Sequence, residues 1–404
     1  MSEFSNIDHA MMARALRLAE RGLFTTQPNP RVGCVIAQGG EIVGEGWHQR
    51  AGEPHAEVFA LQAAGERARG ATAYVTLEPC SHHGRTPPCA DALIEAGVAR
   101  VVFASGDPNP KVAGAGIQRM RDVGIVVASG LMRDAARELN RGFFSRFERG
   151  RPWVRVKLAM SLDGRTALAH GESKWITGEA ARVDVQRWRA RSSAILTGAG
   201  TARADDPRLT VRLPSPEPLW ERGRGEGTVK LKSSAPVAPS PGAARHPLPM
   251  GEGNGSIAPL RVVLDSRLDA LQPNAHLLDG SAPTLVLHVS GAAPYDDRYA
   301  RVELVEVPGT EGRRIDLEAV LKLLAARGVS ELQVEAGPVL CGALLKQNRV
   351  DELLLYVAPT LLGDSARPLL ALPPLATMAA RGEWRVLDRR RVGDDTRLLL
   401  RPAA

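Results

Sequence analysis

Two short clusters in the chain carry side chains that can bind zinc and move protons. One is His55-Ala56-Glu57, and the other is Cys80 followed by Cys89. An imidazole and two thiolates make three zinc ligands, and Glu57 adds a carboxylate that need not touch the metal. A closed structural zinc site normally has four protein ligands, whereas a catalytic site leaves one position for water. The residue types therefore indicate a zinc site with a free coordination position and a proton carrier beside it.

Such a site suits the hydrolytic removal of an amino group from a pyrimidine ring. The reaction needs hydroxide at neutral pH, and zinc lowers the pKa of bound water from about 15.7 to about 7. At about 1.36 kcal/mol per pKa unit, hydroxide becomes roughly 12 kcal/mol easier to supply. We expect Glu57 to take a proton from the attacking water and to pass it to a ring nitrogen and then to ammonia.

The cysteine spacing separates this chain from the best-known zinc nucleobase deaminases. Those enzymes carry H-x-E followed by P-C-x-x-C, whereas eight residues separate Cys80 from Cys89 here. The competing interpretation is a structural zinc site, for which His82 or His83 could supply a fourth ligand. Cys34 and Cys341 are expected to be buried apolar residues, because four cysteines in a chain this long do not suggest a disulfide framework.

Length and composition limit the classes of protein that the chain can belong to. Its 404 residues predict two to three domains, and 52 basic residues nearly balance 45 acidic ones, with a net charge of +7. The absence of a basic run favours small anionic ligands over nucleic acid. We predict no membrane segment and no signal peptide, and thiolate ligands favour a reducing cytoplasm.

The first part of the chain alternates between helix and strand patterns. A helix is predicted over 8–21 with Asp8 as its N-cap, and a hairpin turns at Gly39-Gly40. Both metal clusters fall where helices begin after strands, and helix N-termini stabilise thiolates. The order predicts an α/β sandwich. The predicted hairpin strands are 32–36 and 41–46, the later strands are 72–77, 100–104 and 125–127, and the helices are 55–67, 88–96, 114–123 and 131–147.

A second alternation follows a junction at 150–152. It predicts another α/β domain, interrupted at 214–259 by a segment that is dense in Pro, Gly and Ser and has no periodicity. We interpret that segment as a disordered surface insertion. The predicted strands lie near 153–159, 194–197, 261–264, 284–288, 331–335 and 351–357, and the helices near 178–191, 316–326 and 338–347.

These motifs together resemble the bifunctional riboflavin-biosynthesis deaminase–reductases of bacteria. The resemblance covers nearly the whole chain apart from the insertion. It implies a cytidine-deaminase-like three-layer sandwich over 1–150 and a dihydrofolate-reductase-like α/β domain over 151–404. The matching runs are PNPRVG at 28–33, GWH at 46–48, HAE at 55–57, LEPCSHHGRTPPC at 77–89, SLDGR at 161–165, SKWIT at 173–177, ADDP at 204–207 and VEAGP at 334–338.

The resemblance implies two successive reactions. Zinc-dependent hydrolysis removes the 2-amino group of 2,5-diamino-6-ribosylamino-4(3H)-pyrimidinone 5′-phosphate, and NADPH then reduces the ribosyl group to ribityl. Zn²⁺ and NADPH are therefore the expected cofactors, and a small phosphoribosyl pyrimidine is the expected substrate. We also expect a homo-oligomer, either a dimer or a tetramer.

In the deaminase half, His55, Cys80 and Cys89 are the predicted metal ligands and Glu57 is the predicted catalytic residue. Asn29 is predicted to read the pyrimidine edge, because an amide both donates and accepts hydrogen bonds. It could instead be only a turn residue between two prolines. His48 is predicted in the same pocket, with an ordinary histidine at a hairpin end as the alternative. His82 is expected to contact substrate rather than metal.

In the reductase half, the nicotinamide supplies the reducing power and the protein orients it. A helix that starts at a glycine can cradle phosphates through its backbone amides, although a plain strand–helix turn has the same pattern. Arginines suit a phosphate dianion. The resemblance implies NADPH contacts from Ala159, Trp175, Thr201, Asp205, Ser266, Gly337, Pro338, Val339, Leu340, Cys341, Gly342 and Ala343. It implies substrate contacts from Ser173, Arg189, Leu209, Arg212 and Glu335.

Two departures from the family pattern and two alternative functions remain open. Gly178 follows Thr177 where relatives often have a polar residue, and the insertion begins just after Arg212, at the edge of the predicted substrate pocket. Trp175 could be a core residue rather than a cofactor contact. The alternative functions are a nucleic-acid-editing zinc deaminase and a pseudoenzyme with structural zinc. Only 4% of the residues are aromatic, which disfavours a surface that binds single-stranded nucleic acid.

Overall fold

The computed structural model describes residues 4–81, 88–110, 112, 114–212, 258–294, 296–310, 312 and 314–403. The predictions for His82, His83 and positions 214–257 of the insertion fall outside these residues. Within them, no helix combines the length and the hydrophobicity that crossing a bilayer requires.

The first part of the chain folds around a five-stranded sheet with the strand order β2-β1-β3-β4-β5. Strand β1 pairs antiparallel with β2 and β3, and β3, β4 and β5 are parallel. The elements are α1 Asn6–Glu20, β1 Gly33–Gln38, β2 Glu41–Trp47, α2 Ala56–Ala64, β3 Thr72–Val75, α3 Cys89–Glu95, β4 Arg100–Phe103, α4 Ala115–Asp122, β5 Val126–Ser129, α5 Arg133–Leu139 and α6 Arg141–Arg149.

Helices cover both faces of this sheet. Successive side chains of a strand point to opposite faces, and β1 shows the consequence. Cys34 and Ile36 pack with the residues of α2, whereas Val35 and Ala37 pack with those of α1. The alternation confirms the predicted three-layer sandwich and the burial of Cys34.

Glycine in β2 lets helix α2 approach the sheet unusually closely. A Cβ atom at Gly46 would lie only 2.3 Å from the Ala56 carbonyl oxygen, and one at Gly44 would lie 2.2 Å from the Ala60 carbonyl oxygen. A side chain at either position would push the helix away. The first turn of α2, which follows His55, is therefore seated directly on the strand.

The predicted N-cap of the first helix was wrong. Helix α1 begins one turn earlier, and Ser5 is its N-cap. The Ser5 hydroxyl accepts a hydrogen bond from the Asp8 amide, while the Asp8 carboxylate accepts one from the Ser5 amide. This capping box places Asp8 at the third helical position. Its carboxylate also accepts hydrogen bonds from Arg100 and Tyr74, so it joins the helix to the sheet.

The single helix predicted over 131–147 is two helices, α5 and α6, that meet at Asn140. The Asn140 side chain accepts a hydrogen bond from the Arg31 amide and donates one to the Arg31 carbonyl, each at 2.8 Å. A residue with φ −109° and ψ 22° breaks the helix there. The contact spans 109 positions of the chain, so local periodicity could not reveal the break.

The second part of the chain folds around a nine-stranded sheet with the order β11-β10-β9-β8-β14-β6-β15-β18-β17. The strands from β11 to β15 are parallel, and the β17–β18 hairpin adds an antiparallel edge. The elements are β6 Trp153–Met160, β7 Arg165–Ala167, α7 Glu179–Ala190, β8 Ala194–Gly198, α8 Ala199–Asp205, β9 Leu260–Leu264, β10 Thr284–His288, β11 Glu303–Glu306, β12 Gly309–Thr310, β13 Arg314–Ile315, α9 Leu317–Ala326, β14 Glu331–Val334, α10 Pro338–Lys346, β15 Glu352–Val357, β16 Arg367–Pro368, β17 Trp384–Val392 and β18 Asp395–Pro402.

The central parallel strands are buried on both faces, which explains why they read as continuous apolar runs. Ile195 and Val263 pack into one hydrophobic cluster, and Leu196 and Val262 pack into another on the opposite face. The six strands and three helices predicted for this part are confirmed, as is the burial of Cys341. Helix α8, strand β11 and the β17–β18 hairpin were missed. Strand β17 is an exposed edge with the charged sequence WRVLDRRRV, which hides the strand pattern.

Candidate active sites

Three predicted metal ligands converge in the first part of the chain. The Nδ1 atom of His55 lies 3.2 Å from Cys89 Sγ and 3.5 Å from Cys80 Sγ. His55 is the N-cap of α2, and Cys89 is the first residue of α3. Within the described part of the chain, these three are the one group of side chains that could hold a metal ion, and their ligand atoms all lie within 4.8 Å of one another.

The electrostatics of the cluster favour a thiolate at Cys80, whereas the hydrogen bond with Cys80 and burial raise the pKa of Cys89. All four cysteines of the chain are free. A hydrogen bond from the Cys89 thiol and another with His55 lower the pKa of Cys80, although burial opposes the shift. The hydrogen bond with Cys80 in turn raises the pKa of His55. An imidazole and two sulfur atoms at helix N-termini form a donor set that zinc prefers.

Glu57 lies beside these ligands and is almost completely buried, with 3% of its surface exposed. Its Oε2 atom has no hydrogen-bond partner among the described residues. Burial is the main reason why the pKa of Glu57 is raised above its ordinary value. A buried carboxyl group with a raised pKa and a free oxygen suits a proton carrier that works near neutral pH.

A cavity of about 500 Å³ opens over the cluster, a size typical of small-molecule sites. Asn29 and His48 line it together, and Asn29 Nδ2 lies 3.1 Å from His48 Nε2. Burial lowers the pKa of His48 to about 4, so its ring is neutral. The other ring nitrogen, Nδ1, lies 3.1 Å from the Pro54 carbonyl and must donate to it. Nε2 therefore accepts from the Asn29 amide, which fixes the orientation of that amide in the cavity.

Sequence reasoning assigned no role to several other residues that line this cavity. Glu78 holds the loop after β4, because its carboxylate accepts hydrogen bonds from the Asp107 and Gly114 amides at 3.2 and 2.7 Å. Burial raises the pKa of Asp107 to about 6. The conspicuous LEPC run could have drawn attention to Glu78. The remaining unassigned residues include Asn109, Val112, Phe143, Arg146 and Phe147.

The second part of the chain brings several of its predicted cofactor residues, together with the predicted substrate residue Glu335, to one edge of the sheet. Ala159 lies at the end of β6, Thr201 follows β8, Ser266 follows β9 and Glu335 follows β14. These four strands are parallel neighbours, so their carboxyl ends form one edge. Ligands of open α/β sheets bind in the crevice at such an edge. The Gly337 amide donates to the Thr201 hydroxyl at 3.0 Å, which ties two of the predicted segments together.

Helix α10 presents only its first turn to this edge. Gly337 is its N-cap and Val339 is 72% exposed, whereas Cys341 is buried and its thiol donates to the Ala336 carbonyl. A Cβ atom at Gly342 would lie 2.3 Å from the Ala371 carbonyl oxygen. The second turn therefore packs inward, and the open backbone amides belong to the start of the helix.

Arg189 and Glu335 form a buried ion pair at the same edge. Arg189 Nε and Nη2 donate to the two carboxylate oxygens at 2.7 Å each, and Nη1 donates to the Thr210 carbonyl. Burial acts to raise the pKa of Glu335, but Arg189 overrides it and holds the pKa at about 2. Lys157, on β6, lies close enough to contribute to this lowering and was not identified from the sequence.

The other predicted substrate residues occupy loops around this pair. Arg212 is exposed, and its amide donates to Gln186 Oε1. Burial and the nearby charges of Arg189 and Arg208 lower the pKa of Arg212. A bound phosphate would relieve the mutual repulsion among these three guanidinium groups. Arg208 was not predicted from the sequence, because it lies in an irregular loop. The Leu209 side chain is buried, with φ +48°.

Three predicted residues lie further along these loops. Trp175 is 70% exposed, with the Arg182 guanidinium 4.5 Å from its ring centroid. The alternative that Trp175 is a core residue is therefore wrong, and its contact with NADPH stays a prediction. Ser173 lies half-buried in the loop before α7, and Asp205 ends α8. Gly178 is the N-cap of α7, and its amide donates to Asp395.

A three-layer sandwich that carries a His/Cys/Cys cluster beside a buried carboxyl group defines a zinc deaminase, here joined to a nucleotide-binding α/β domain. Family models agree with both parts. The cytidine and deoxycytidylate deaminase zinc-binding region matches residues 5–105, and the RibD C-terminal domain matches residues 152–396. The chain belongs to the RibD family and is a bifunctional deaminase and reductase of riboflavin biosynthesis.

Individual relatives match along nearly their whole length. The riboflavin biosynthesis protein RibD of Escherichia coli is 48% identical over 97% of this chain and 99% of its own. The structure of Acinetobacter baumannii RibD is 42% identical and superimposes with a TM-score of 0.83 over 98% of this chain and 99% of that chain. A Thermotoga maritima structure, described as a diaminohydroxyphosphoribosylaminopyrimidine deaminase/5-amino-6-(5-phosphoribosylamino)uracil reductase, is 30% identical with a TM-score of 0.79 over 98% of this chain and 99% of that chain. These matches confirm the predicted fold class, a cytidine-deaminase-like sandwich with a dihydrofolate-reductase-like domain.

Proposed function

We propose that residues 1–150 deaminate 2,5-diamino-6-ribosylamino-4(3H)-pyrimidinone 5′-phosphate by hydrolysis, and that residues 151–404 use NADPH to reduce the ribosyl group of the product to ribityl. One observation supports the first step above all others. Glu57 is a buried acid with an unpaired oxygen, and it lines the same cavity as His55 and Cys80. A structural zinc site would have no use for such a group.

In this proposal His55, Cys80 and Cys89 hold zinc, which when bound supplies the acidity that makes hydroxide available at neutral pH. Glu57 accepts a proton from the attacking water on its free Oε2 atom. It then delivers the proton to a ring nitrogen and, in a later step, to the departing ammonia. The raised pKa of Glu57 makes its carboxylate a better proton acceptor than an ordinary glutamate. The protonated carboxyl group is still acidic enough to donate that proton in the later steps.

Asn29 and His48 orient the pyrimidine in the cavity. The neutral His48 ring accepts from the Asn29 amide, so the Asn29 carbonyl oxygen is directed away from His48 and is available to the ring edge. An amide whose donor is already engaged presents an acceptor in one fixed direction. This pairing favours a binding role over the two simpler interpretations, a turn residue and an isolated hairpin histidine.

The reductase half positions cofactor and sugar at the carboxyl edge of the nine-stranded sheet. NADPH supplies the reducing equivalent, and the first turn of α10 offers backbone amides to its phosphates. Arg189, Glu335 and Arg212 would hold the phosphoribosyl group. Because Glu335 already engages two donors of Arg189, Arg212 and Arg208 are the better phosphate partners in this arrangement.

We also propose a homo-oligomer and a reducing compartment such as the cytoplasm. Exposed apolar side chains cluster along one segment, at Leu361, Leu372, Leu375 and Met378, and such surfaces commonly mark contacts between subunits. A monomeric mass in light scattering would contradict the oligomer. Two adjacent thiolates, Cys80 and Cys89, stay reduced most readily where glutathione keeps thiols reduced.

The decisive test compares Glu57→Gln with the wild-type protein. Ammonia release and loss of NADPH absorbance are measured separately with the diamino substrate, and zinc content is measured on the same samples. We expect Glu57→Gln to lower ammonia release by about 10²- to 10⁴-fold with zinc unchanged, while the pre-deaminated substrate is still reduced.

Glu66→Gln, at an exposed position just after the C-terminal end of α2, is the matched control and should behave as wild type. Unchanged ammonia release in Glu57→Gln would remove Glu57 from the mechanism. Salt-sensitive RNA binding without turnover of the free nucleotide would instead favour an editing deaminase.

A further inference from the structure

Helix α6 carries an arginine into the deaminase cavity. Phe143, Arg146 and Phe147 all line that cavity. The Arg146 guanidinium lies 4.6 Å from the Phe147 ring centroid and 5.7 Å from that of Phe143. Contact with these two rings restricts the guanidinium and shields part of it from water.

A turn from the other half of the chain holds the same arginine. Arg146 Nη1 donates to the Gly328 carbonyl at 2.9 Å, in the turn between α9 and β14. A Cβ atom at Gly328 would lie 3.6 Å from Arg146 Nη1 and 3.6 Å from Pro28 Cβ. The turn therefore packs against two residues of the cavity wall, and it orients the guanidinium while using only one of its donors.

The charge of Arg146 is not neutralised by an ion pair among the described residues. The acidic side chains that line the cavity are Glu53, Glu57, Glu78 and Asp107, and none of them forms an ion pair with Arg146. Asp107 acts on Arg146 through its charge alone, whereas burial lowers the arginine's pKa. A half-buried cation with unused hydrogen-bond donors favours an anionic ligand. Such a ligand would replace the interactions with water that the guanidinium loses on burial.

We propose that Arg146 binds the 5′-phosphate of the pyrimidine nucleotide in the deaminase cavity, with its guanidinium oriented by the Gly328 carbonyl. The inference rests on the proposed function, which places the pyrimidine ring at Glu57 and the metal ligands. The planar fork of an arginine matches phosphate oxygens with two parallel hydrogen bonds. A turn of the reductase half thus completes a subsite of the deaminase half.

The test separates the phosphate from the rest of the substrate. Ammonia release is measured with the diamino nucleotide and with its dephosphorylated nucleoside, for the wild type, Arg146→Gln and Arg146→Lys. We expect Arg146→Gln to lower kcat/KM for the nucleotide by about 10- to 100-fold, mainly through KM, and by less than about 3-fold for the nucleoside. Arg146→Lys should retain part of the preference because it keeps the charge.

Arg137→Gln is the matched control. Its guanidinium lies 4.1 Å from the Phe144 ring centroid but pairs with Glu148 at the surface, so both substrates should be used as in the wild type. Equal losses of Arg146→Gln on both substrates, or an unchanged KM for the nucleotide, would mean that Arg146 only braces the Gly328 turn. A wild type that releases ammonia from neither substrate would overturn the proposed function itself.

If Arg146→Gln does not fold, the wild type provides a second measurement. Inorganic phosphate should inhibit deamination of the nucleotide competitively and should stimulate or leave unchanged that of the nucleoside. Equal inhibition of both substrates, or none, would overturn the assignment. Zinc content and melting temperature accompany every sample, because loss of the metal would lower both activities together.

Discussion

Arg31 and Glu331 form an ion pair that joins the two parts of the chain, with Arg31 Nη1 2.7 Å from Glu331 Oε1. Arg31 lies two residues before β1 of the sandwich sheet, and Glu331 begins β14 of the nine-stranded sheet. Both side chains are buried. Burial acts to raise the pKa of Glu331, but Arg191, Arg31 and Arg155 hold it well below its ordinary value. Asn29 lies two residues from Arg31, and Arg189 lies two residues from Arg191. The group of arginines around Glu331 therefore connects the surroundings of the two candidate sites.

Removing the Arg31 guanidinium should lower the free energy of unfolding substantially. Arg31→Met leaves Glu331 with fewer cations in a buried position and removes hydrogen bonds to the Leu23 and Arg191 carbonyls. We expect the free energy of unfolding to fall by about 3–5 kcal/mol in urea denaturation. Arg67→Met is the control, since its pair with Glu41 is exposed and 3.5 Å long, and should cost less than about 1 kcal/mol. Similar small losses in both variants would show that the buried pair does not hold the two parts together.

Gly46→Ala should disturb the metal cluster without touching a ligand. The added Cβ atom would meet the Ala56 carbonyl oxygen at 2.3 Å, and backbone cannot move aside as a side chain can. We expect the first turn of α2 to shift, zinc content after dialysis to fall and stability to drop by about 1–3 kcal/mol.

Gly200→Ala provides the comparison for this variant. Nothing lies within 4 Å of a Cβ atom at Gly200, which is already helical. It should leave zinc content unchanged and stabilise the chain slightly, by up to about 1 kcal/mol. Full zinc content and an unchanged melting temperature in Gly46→Ala would contradict the close packing of α2 on β2.

Asp8→Asn should destabilise the protein in a pH-dependent manner. Burial opposes ionisation of Asp8, but hydrogen bonds from Arg100, Ser5 and Tyr74 lower its pKa well below the ordinary value. A carboxylate with a depressed folded-state pKa stabilises the fold at every pH above its unfolded pKa of about 3.9. That contribution is lost as pH falls from there toward the folded pKa.

The difference between wild type and Asp8→Asn in the free energy of unfolding should be about 1–3 kcal/mol at pH 7. It should narrow below about pH 4, where the unfolded chain of the wild type binds a proton that the folded chain does not. Urea denaturation at several pH values measures this difference. A gap that stays constant down to pH 3 would show that Asp8 acts through packing rather than charge.

Much of the fold followed from local patterns. The parallel strands β8, β9 and β14 are short apolar runs in the sequence because both of their faces are buried. The hairpin at Gly39-Gly40 could be predicted because such a turn needs positive φ values, which both glycines adopt in the structure. Elements whose side chains face solvent, or bind residues far away in the chain, were harder to predict from the sequence. Strand β17 was hidden by its charges, and the break at Asn140 depends on a backbone 109 residues away.

The sequence by itself determined the α/β class and predicted the candidate metal ligands and the candidate proton carrier, because these depend on residue types at short spacing within single strand–helix turns. Only the tertiary structure decided which distant groups surround them. It placed Arg146 and the Gly328 turn at the deaminase cavity, paired Arg189 with Glu335 and joined Arg31 to Glu331. The physical reason is that periodicity encodes which face of an element is buried, whereas a hydrogen bond or ion pair depends on angstrom-scale positions of side chains that are far apart in the chain.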